Sequence, residues 1–351
     1  MDETVTRALS PAFAPMFVPS VAAAQARIAA VRPAAYARTR NALDGAVSQL
    51  SPYITHGFVT LSDVLAGVAR RHALDVQHKF VYELGWRAYF RHVWQHRGDG
   101  ILQSLHEGPL PDAGYARELP ADIRQACTGV PVVDEAVRTL FNAAPMAPAS
   151  WHSPDSLIDT SYEELDRMAR QPAMQRRPGK PRVLADSPSL VEPRLAADPP
   201  DVLGLTAPDA AAVAGRDVWL VHPWSLGELP ASLPADTQVI GVFVADFHRA
   251  WPWNEKRWHF VGSRMAELAA QRWYGNADAI GAALKSARSV RSIDEPHLAP
   301  WLPAWAECGS VPALFPSVDR RCDSFSQWWN RATRGLNSST DLLAVNEVPA
   351  W

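Results

Sequence analysis

The chain has little cysteine. Cys127, Cys308 and Cys322 lie far apart in 351 residues, with no C-x-x-C pair and no zinc spacing. Neither a disulfide framework nor a structural metal is expected from them. It also lacks an excess of charge of one sign. Thirty-four Lys and Arg oppose 37 Asp and Glu, for a formal net charge of -3. That balance excludes a globally basic, histone-like binder but leaves a local basic groove open. No apolar run approaches the ~20 residues that span a bilayer, so no membrane partner is expected. The opening Met1-Asp2-Glu3 is acidic, where a secretory signal would be basic and then apolar. With the sparse cysteines, this predicts a reducing, cytoplasmic setting. The 11 histidines form no H-E-x-x-H and no H-x-E with C-x-x-C, and no G-x-S-x-G is present. Metal catalysis, zinc deamination and nucleophile-elbow hydrolysis are disfavoured, and no metal site is expected.

Proline and tryptophan, in contrast, are abundant. There are 30 prolines and 14 tryptophans, and 12 of the tryptophans lie after residue 150. The halves therefore differ in character, and with 47% hydrophobic residues the length suits about two domains. Residues 20–140 read as mostly helical. Residues 21–31 are Ala-rich, with Ile28 and Val31 on one face. A turn is expected at Asp44-Gly45, and Ser62-Asp63 is a candidate cap for a helix through Val64, Leu65 and Val68. Residues 76–96 predict a long helix with Phe80, Leu84 and Tyr89 on an apolar face beside Val81, Gly85 and Ala88. Residues 132–140 predict a shorter one, begun by Pro131 and Asp134. Proline then punctuates residues 145–216, which read as an extended linker with one short helix at 162–170.

From residue 217 strand and helix patterns alternate. Within Val218-Trp219-Leu220-Val221-His222 and Gln238-Val239-Ile240-Gly241-Val242-Phe243-Val244, residues 218–221 and 239–244 are apolar throughout, as in strands buried on both faces. Helices are expected at 255–270, 278–287, 298–306 and 325–332, with strands at 272–275 and 290–293. The alternation predicts a doubly wound parallel sheet with Val218–Val221 and Val239–Val244 adjacent at its centre. The turn after its first strand, His222-Pro223-Trp224-Ser225-Leu226-Gly227, does not fit G-x-G-x-x-G, so an ordinary dinucleotide site is excluded.

Two segments carry candidate chemistry. In the long helix, Glu83, Trp86, Arg87 and Phe90 recur at three- and four-residue spacing. Such a stripe suits a charged planar ligand, with Arg on a phosphate, Trp on a ring and Glu accepting from a ring nitrogen or ribose. The plainer alternative is an ordinary Glu83–Arg87 ion pair beside a core tryptophan. Ser48-Gln49-Leu50-Ser51-Pro52-Tyr53 sets two hydroxyls before a helix. That suits a phosphate, or simple capping.

Taken in order, these residues resemble the flavin-binding helical domain of DNA photolyases and cryptochromes. The similar segments are Tyr36, then Ser48 through Gly57, then Leu61-Ser62, then Glu83-Leu84-Gly85-Trp86-Arg87-Ala88-Tyr89-Phe90-Arg91-His92. Thr128 through Arg138 is similar to that family's T-G-Y/V-P-x-V/I-D-x-x-M/V-R element. The resemblance is strong over residues 36–138. It implies FAD held by Tyr36, Ser48, Gln49, Leu50, Ser51, Glu83 and Arg87, with Trp86 and Glu83 as catalytic residues toward a pyrimidine lesion in DNA. Trp86 would pack on extruded bases, while Arg87 and Arg91 would serve flavin or DNA phosphate. Residues 217–335 are similar, more faintly, to the family's α/β domain, which here follows the helical domain instead of preceding it.

The resemblance is interrupted. Leu140 runs directly into Phe141-Asn142, as though the segment that clamps the flavin ring and conducts electrons to it were deleted. The tryptophan that precedes the family's T-G-x-P element is also missing, with Ile123 about there. His222 through Leu226 replaces the R-R-D-L-R signature, so an antenna chromophore is doubtful. The expected organisation is a mixed one, all-α followed by α/β: an incomplete photolyase-type FAD domain (1–144), a Pro-rich linker (145–216), a Rossmann-like doubly wound α/β domain (217–335) and a C-terminal tail (336–351). The expected function is that of a monomeric photolyase-related flavoprotein whose light-driven repair of pyrimidine dimers is impaired. The alternative is an inactive relative that keeps a nucleic-acid or protein contact surface.

Overall fold

A computed structural model describes residues 17–41, 45–102, 121–131, 133–134, 137 and 195–345. The first half is a layer of helices. α1 (Val21–Ala30) starts where Ser20 Oγ accepts from the Ala23 amide, and it buries Ala24 and Ile28. α2 (Pro33–Thr39) opens on a proline whose fixed φ suits a first helical turn. α3 (Ser51–Thr55) is a single short turn. α4 (Leu61–Ala69) is capped by Thr60, not by Ser62. The Thr60 hydroxyl accepts from the Asp63 amide while the Asp63 carboxylate accepts from the Thr60 amide, satisfying two otherwise orphaned donors. α5 (Lys79–Arg97) is the long helix, shifted a few residues from the expected span because His78 Nδ1 accepts from the Phe80 amide and caps it. It buries Phe80, Val81, Leu84, Gly85 and Tyr89. α6 (Ala121–Arg124) follows. Of the helix expected at 132–140, only Val133, Asp134 and Val137 are described, all helical. Asp44, the Leu140-Phe141 junction and the helix expected at 162–170 lie outside the described residues.

The second half begins with β1 (Leu195–Ala196) and α7 (Ala210–Val213), then β2 (Asp217–Val221), β3 (Gln238–Val244), α8 (Ala245–Ala250), β4 (Trp253–Asn254), α9 (Glu255–Leu268), β5 (Gln271–Gly275), α10 (Ala277–Leu284), β6 (Ser289–Ile293), α11 (Leu302–Trp305) and β7 (Glu307–Gly309). Five strands form one parallel sheet in the order β5-β3-β2-β6-β7. The chain enters at the centre, winds outward through β3 and β5, then crosses back over β2 to β6 and β7. β2 and β3 pair with Trp219 opposite Val239 and Leu220 opposite Ile240, and four of the five β2 residues are buried. Mixed helix and parallel sheet is therefore the fold class. No helix among the described residues is long and apolar enough to cross a membrane.

Two boundaries differ from those read in the sequence. The expected linker does not run to residue 216. β1 pairs antiparallel with β4, and Thr206 bridges β5 by donating to Arg272 O and accepting from the Tyr274 amide. Val213 is fully buried. Frequent prolines hide these short pairings, which rest on backbone hydrogen bonds more than on any side-chain period. Nor is 336–351 a free tail over its described part. α12 (Phe325–Ala332) packs on α5, and α13 (Ser339–Ala344) packs on α4 with Leu342 fully buried. The Ser339 amide donates to Leu74 O and the Val76 amide to Asn337 O. The chain thus returns to complete the helical layer, and one apolar core runs through both halves.

The α5–α12 contact depends on Gly85, where an added Cβ would lie 2.3 Å from Trp329 Cζ3. Alanine is the better helix former by ~1 kcal/mol, but overpacking a filled core costs about 1–3 kcal/mol. Gly85→Ala is expected to lower the urea midpoint without changing the slope. An unchanged or raised midpoint would contradict this packing.

Candidate functional site

α2, the loop after it, α3, α4 and α5 enclose a cavity of about 380 Å³. Tyr36, Ser48, Gln49, Leu50, Ser51, Glu83 and Arg87 all line it. They come together because α5 presents Glu83 and Arg87 one turn apart, while the chain from 45 to 51 folds back across them. Thr39 Oγ1 anchors that return by accepting from the Ala46 amide. Gln49 holds the left-handed backbone with φ of 52°, and Arg27 donates to its side-chain oxygen. Such a conformation costs roughly 1–2 kcal/mol in a residue with a Cβ. Here it turns Ser48 and Leu50 into the cavity wall, and Leu50 is buried as its apolar floor. Tyr36 stands edge-on to Phe80, their ring centroids 5.4 Å apart.

The Glu83–Arg87 ion pair weighed above does not form. Glu83 pairs instead with Arg40, Oε1 to Nε at 3.0 Å. Arg87 Nη2 donates to Ser51 Oγ, and no carboxylate among the described residues lies within ion-pair distance of it. A half-buried guanidinium facing a hydroxyl and no acid suits an anion such as a phosphate. α3 is too short for its dipole to add to this, so the guanidinium carries the electrostatics instead of a helix N-terminus. Arg40 and its neighbour Asn41 also line the cavity and escaped the sequence reading. Arg40 meets Glu83 from 43 positions away, and no local period signals that pairing.

Trp86 and Phe90 do not join Glu83 and Arg87. The Trp86 ring stacks on Phe325 at 3.9 Å with an interplanar angle of 15°, and on Phe90 at 6.1 Å. The stripe splits because α12 supplies an aromatic surface to that side of α5, which the sequence placed in the α/β half. The Trp86 ring is half-buried and turned toward Phe325, away from the cavity that Glu83 and Arg87 line. Arg91 is also committed. It holds Glu295 through both carboxylate oxygens, at 3.1 and 3.3 Å.

Behind the cavity, the halves meet along a buried polar seam. His56 is fully buried, with Nδ1 donating to Pro223 O and Nε2 accepting from Arg257 Nε at 3.2 Å. That pattern requires a neutral ring. Burial, with the nearby Arg257 charge, holds its pKa well below the ordinary value. His222 is neutral for the same kind of reason: Nδ1 accepts from the Trp224 amide, Nε2 donates to Ile293 O, and burial lowers its pKa. His248 packs between Trp253 and Trp258, and burial lowers it well below the ordinary value. Burial alone would push the Glu295 carboxyl up, but Arg91 and then His297 hold it well below the usual carboxylate range.

Comparison with family models, with curated proteins and with solved structures finds no match to this chain.

The buried histidines make stability pH-dependent with a definite sign. Unfolded, each takes up a proton near 6.5, whereas His56, His222 and His248 resist it when folded. Their contribution is complete above that value and is lost as the pH falls toward the folded pKa. Each adds up to about 1.4 kcal/mol per pH unit over that window. Urea unfolding at a series of pH values is expected to show stability falling below 6.5, with a shallower fall in His248→Phe. A flat profile through this window would contradict the neutral, buried assignment.

Proposed function

We propose that the cavity beneath α5 binds the phosphate-bearing half of an adenine dinucleotide, and that the chain is a photolyase/cryptochrome-related protein whose repair chemistry is impaired. The carrying observation is that the seven residues of the resemblance line one cavity, where Arg87 donates to Ser51 Oγ and pairs with no carboxylate among the described residues. The phosphate end of FAD fits these groups. Arg87 supplies charge, Ser48 and Ser51 supply hydroxyls, and Tyr36 adds an aromatic edge. The isoalloxazine end fits poorly. The cavity volume of about 380 Å³ is near the low end of the ~300–1,000 Å³ typical of small-ligand sites. FAD is larger than a drug-sized molecule, and Trp86 faces α12 instead of the cavity.

A fully bound, excited reduced flavin would supply one electron to a pyrimidine dimer flipped from DNA. The chain's own residues support the binding part of that chemistry better than the transfer part. Arg87 would orient a phosphate and Glu83, held by Arg40, would accept from a ribose hydroxyl. A ring left outside the wall stays wet and mobile, without the fixed dry geometry that electron transfer needs. The second reading, an inactive relative with a contact surface, draws support from Trp86 and Arg91. The two groups the resemblance assigns to lesion and DNA are both spent inside the fold.

Equilibrium dialysis of the full chain separates these parts. ADP is expected to bind, and Arg87→Ala to weaken it at least about tenfold, the value of a charge-assisted hydrogen bond. FAD is expected to bind no more than about tenfold tighter than ADP, since its ring buries little surface. The protein should purify largely colourless and leave dimer-containing DNA unrepaired under blue light. Tight stoichiometric FAD with light-driven repair would overturn the impaired reading. ADP binding that is indifferent to Arg87 would overturn the site.

A further inference from the structure

A second cavity, of about 550 Å³, lies at the carboxyl-terminal end of α5, over the carboxyl ends of β3 and β6. In open parallel sheets ligands bind outside the strand carboxyl ends, where the winding order reverses. Here that reversal falls between β2 and β6. The walls are five aromatic rings, Trp94, Phe247, Trp251, Trp253 and Trp301, together with the imidazole of His297. His297 is held in place: its Nδ1 meets Glu295 Oε1, the Trp224 ring stacks on it at 4.3 Å, and Trp94 stands edge-on at 4.7 Å.

The charged lining is mostly acidic. Asp99, Asp246 and Asp294 face a single guanidinium, that of Arg257. Asp246 pairs with Arg249, but Asp99 and Asp294 have no cationic partner among the described residues. The last turn of the 19-residue α5 also forms part of the wall, through Trp94, Gln95 and Gly98. The end carbonyls of a long helix carry partial negative charge and favour cations. Trp253 already shows what such a wall accepts, because the Arg257 guanidinium lies over its ring at 4.2 Å. Aromatic faces and carboxylates together are the chemistry that recognises an organic cation: the ring quadrupoles attract its charge, and the acids complete neutralisation at the rim.

We propose that this cavity is a binding site for a planar aromatic cation, separate from the nucleotide site and independent of it. The rings sandwich the ligand, and Asp99 and Asp294 select its charge.

The test is calorimetric titration of the full chain with N-methylquinolinium and with quinoline, a near-isosteric neutral partner, at a pH where quinoline is uncharged. The cation is expected to bind at one site, at least about fivefold tighter than quinoline, as for a partly desolvated cation–π contact. Asp99→Asn with Asp294→Asn is expected to weaken the cation by a similar factor and leave quinoline unchanged. Both positions are exposed, so this variant should fold. Saturating ADP is expected not to displace the cation. Equal affinities, the absence of saturable binding, undiminished binding by the double variant or displacement by ADP would each overturn the proposal.

Discussion

The structure turns on the close approach of His56-Gly57 to the turn at Pro223 to Leu226. Gly57 holds φ of +67°, and an added Cβ would sit 2.2 Å from Trp224 O, so the chain at this point has neither the conformation nor the room for a side chain. The Leu226 amide donates to His56 O, and the neutral His56 ring is fixed between Pro223 O and Arg257. Charging that ring would place a second cation beside Arg257 in a fully buried site, a cost far above the net value of either hydrogen bond. The buried His56 ring is tolerated because both of its nitrogens are paired.

With that seam closed, α5 becomes a wall shared by everything else. One side carries Glu83 and Arg87 into the first cavity, and another stacks Trp86 and Gly85 against α12. Its last turns reach the sheet, where Arg91 meets Glu295, which is 4% exposed. Removing one partner of such a pair leaves an unpaired buried charge, so the contact is stronger as a constraint on geometry than as a net source of stability. It fixes how the end of α5 lies over the strand carboxyl ends and so shapes the second cavity.

Local periodicity made much of this legible before the fold was seen. Two unbroken apolar runs identify β2 and β3 as neighbouring buried strands, and the sequence pattern places a helix near the span of α12. Ser48, Ser51, Glu83 and Arg87 line one cavity, a grouping that the family resemblance implies and that the spacing within either segment does not. Contacts between distant segments could not be read. Nothing local links Arg40 to Glu83, Arg91 to Glu295, or Trp86 to Phe325, and each of these decides what a candidate residue is free to do. The same limit placed residues 336–345 in a tail. α13 is short, and its register comes from backbone bonds to Leu74 and Val76, which have no sequence signature. The Thr60 cap shows a finer failure: the Ser62-Asp63 pair looked sufficient, yet Asp63 serves as the third helical residue of a box that begins two positions earlier.

The central claim is that the helical layer and the sheet form one cooperative unit through the His56-Gly57 seam. Native-state hydrogen exchange of the Gly57→Ala variant tests it most directly. Amides in α5 and in β3 are expected to lose protection together and by the same free energy, since both depend on the same seam. Loss confined to α5, with β3 protected as in the parent chain, would show that the halves open separately and would contradict the account.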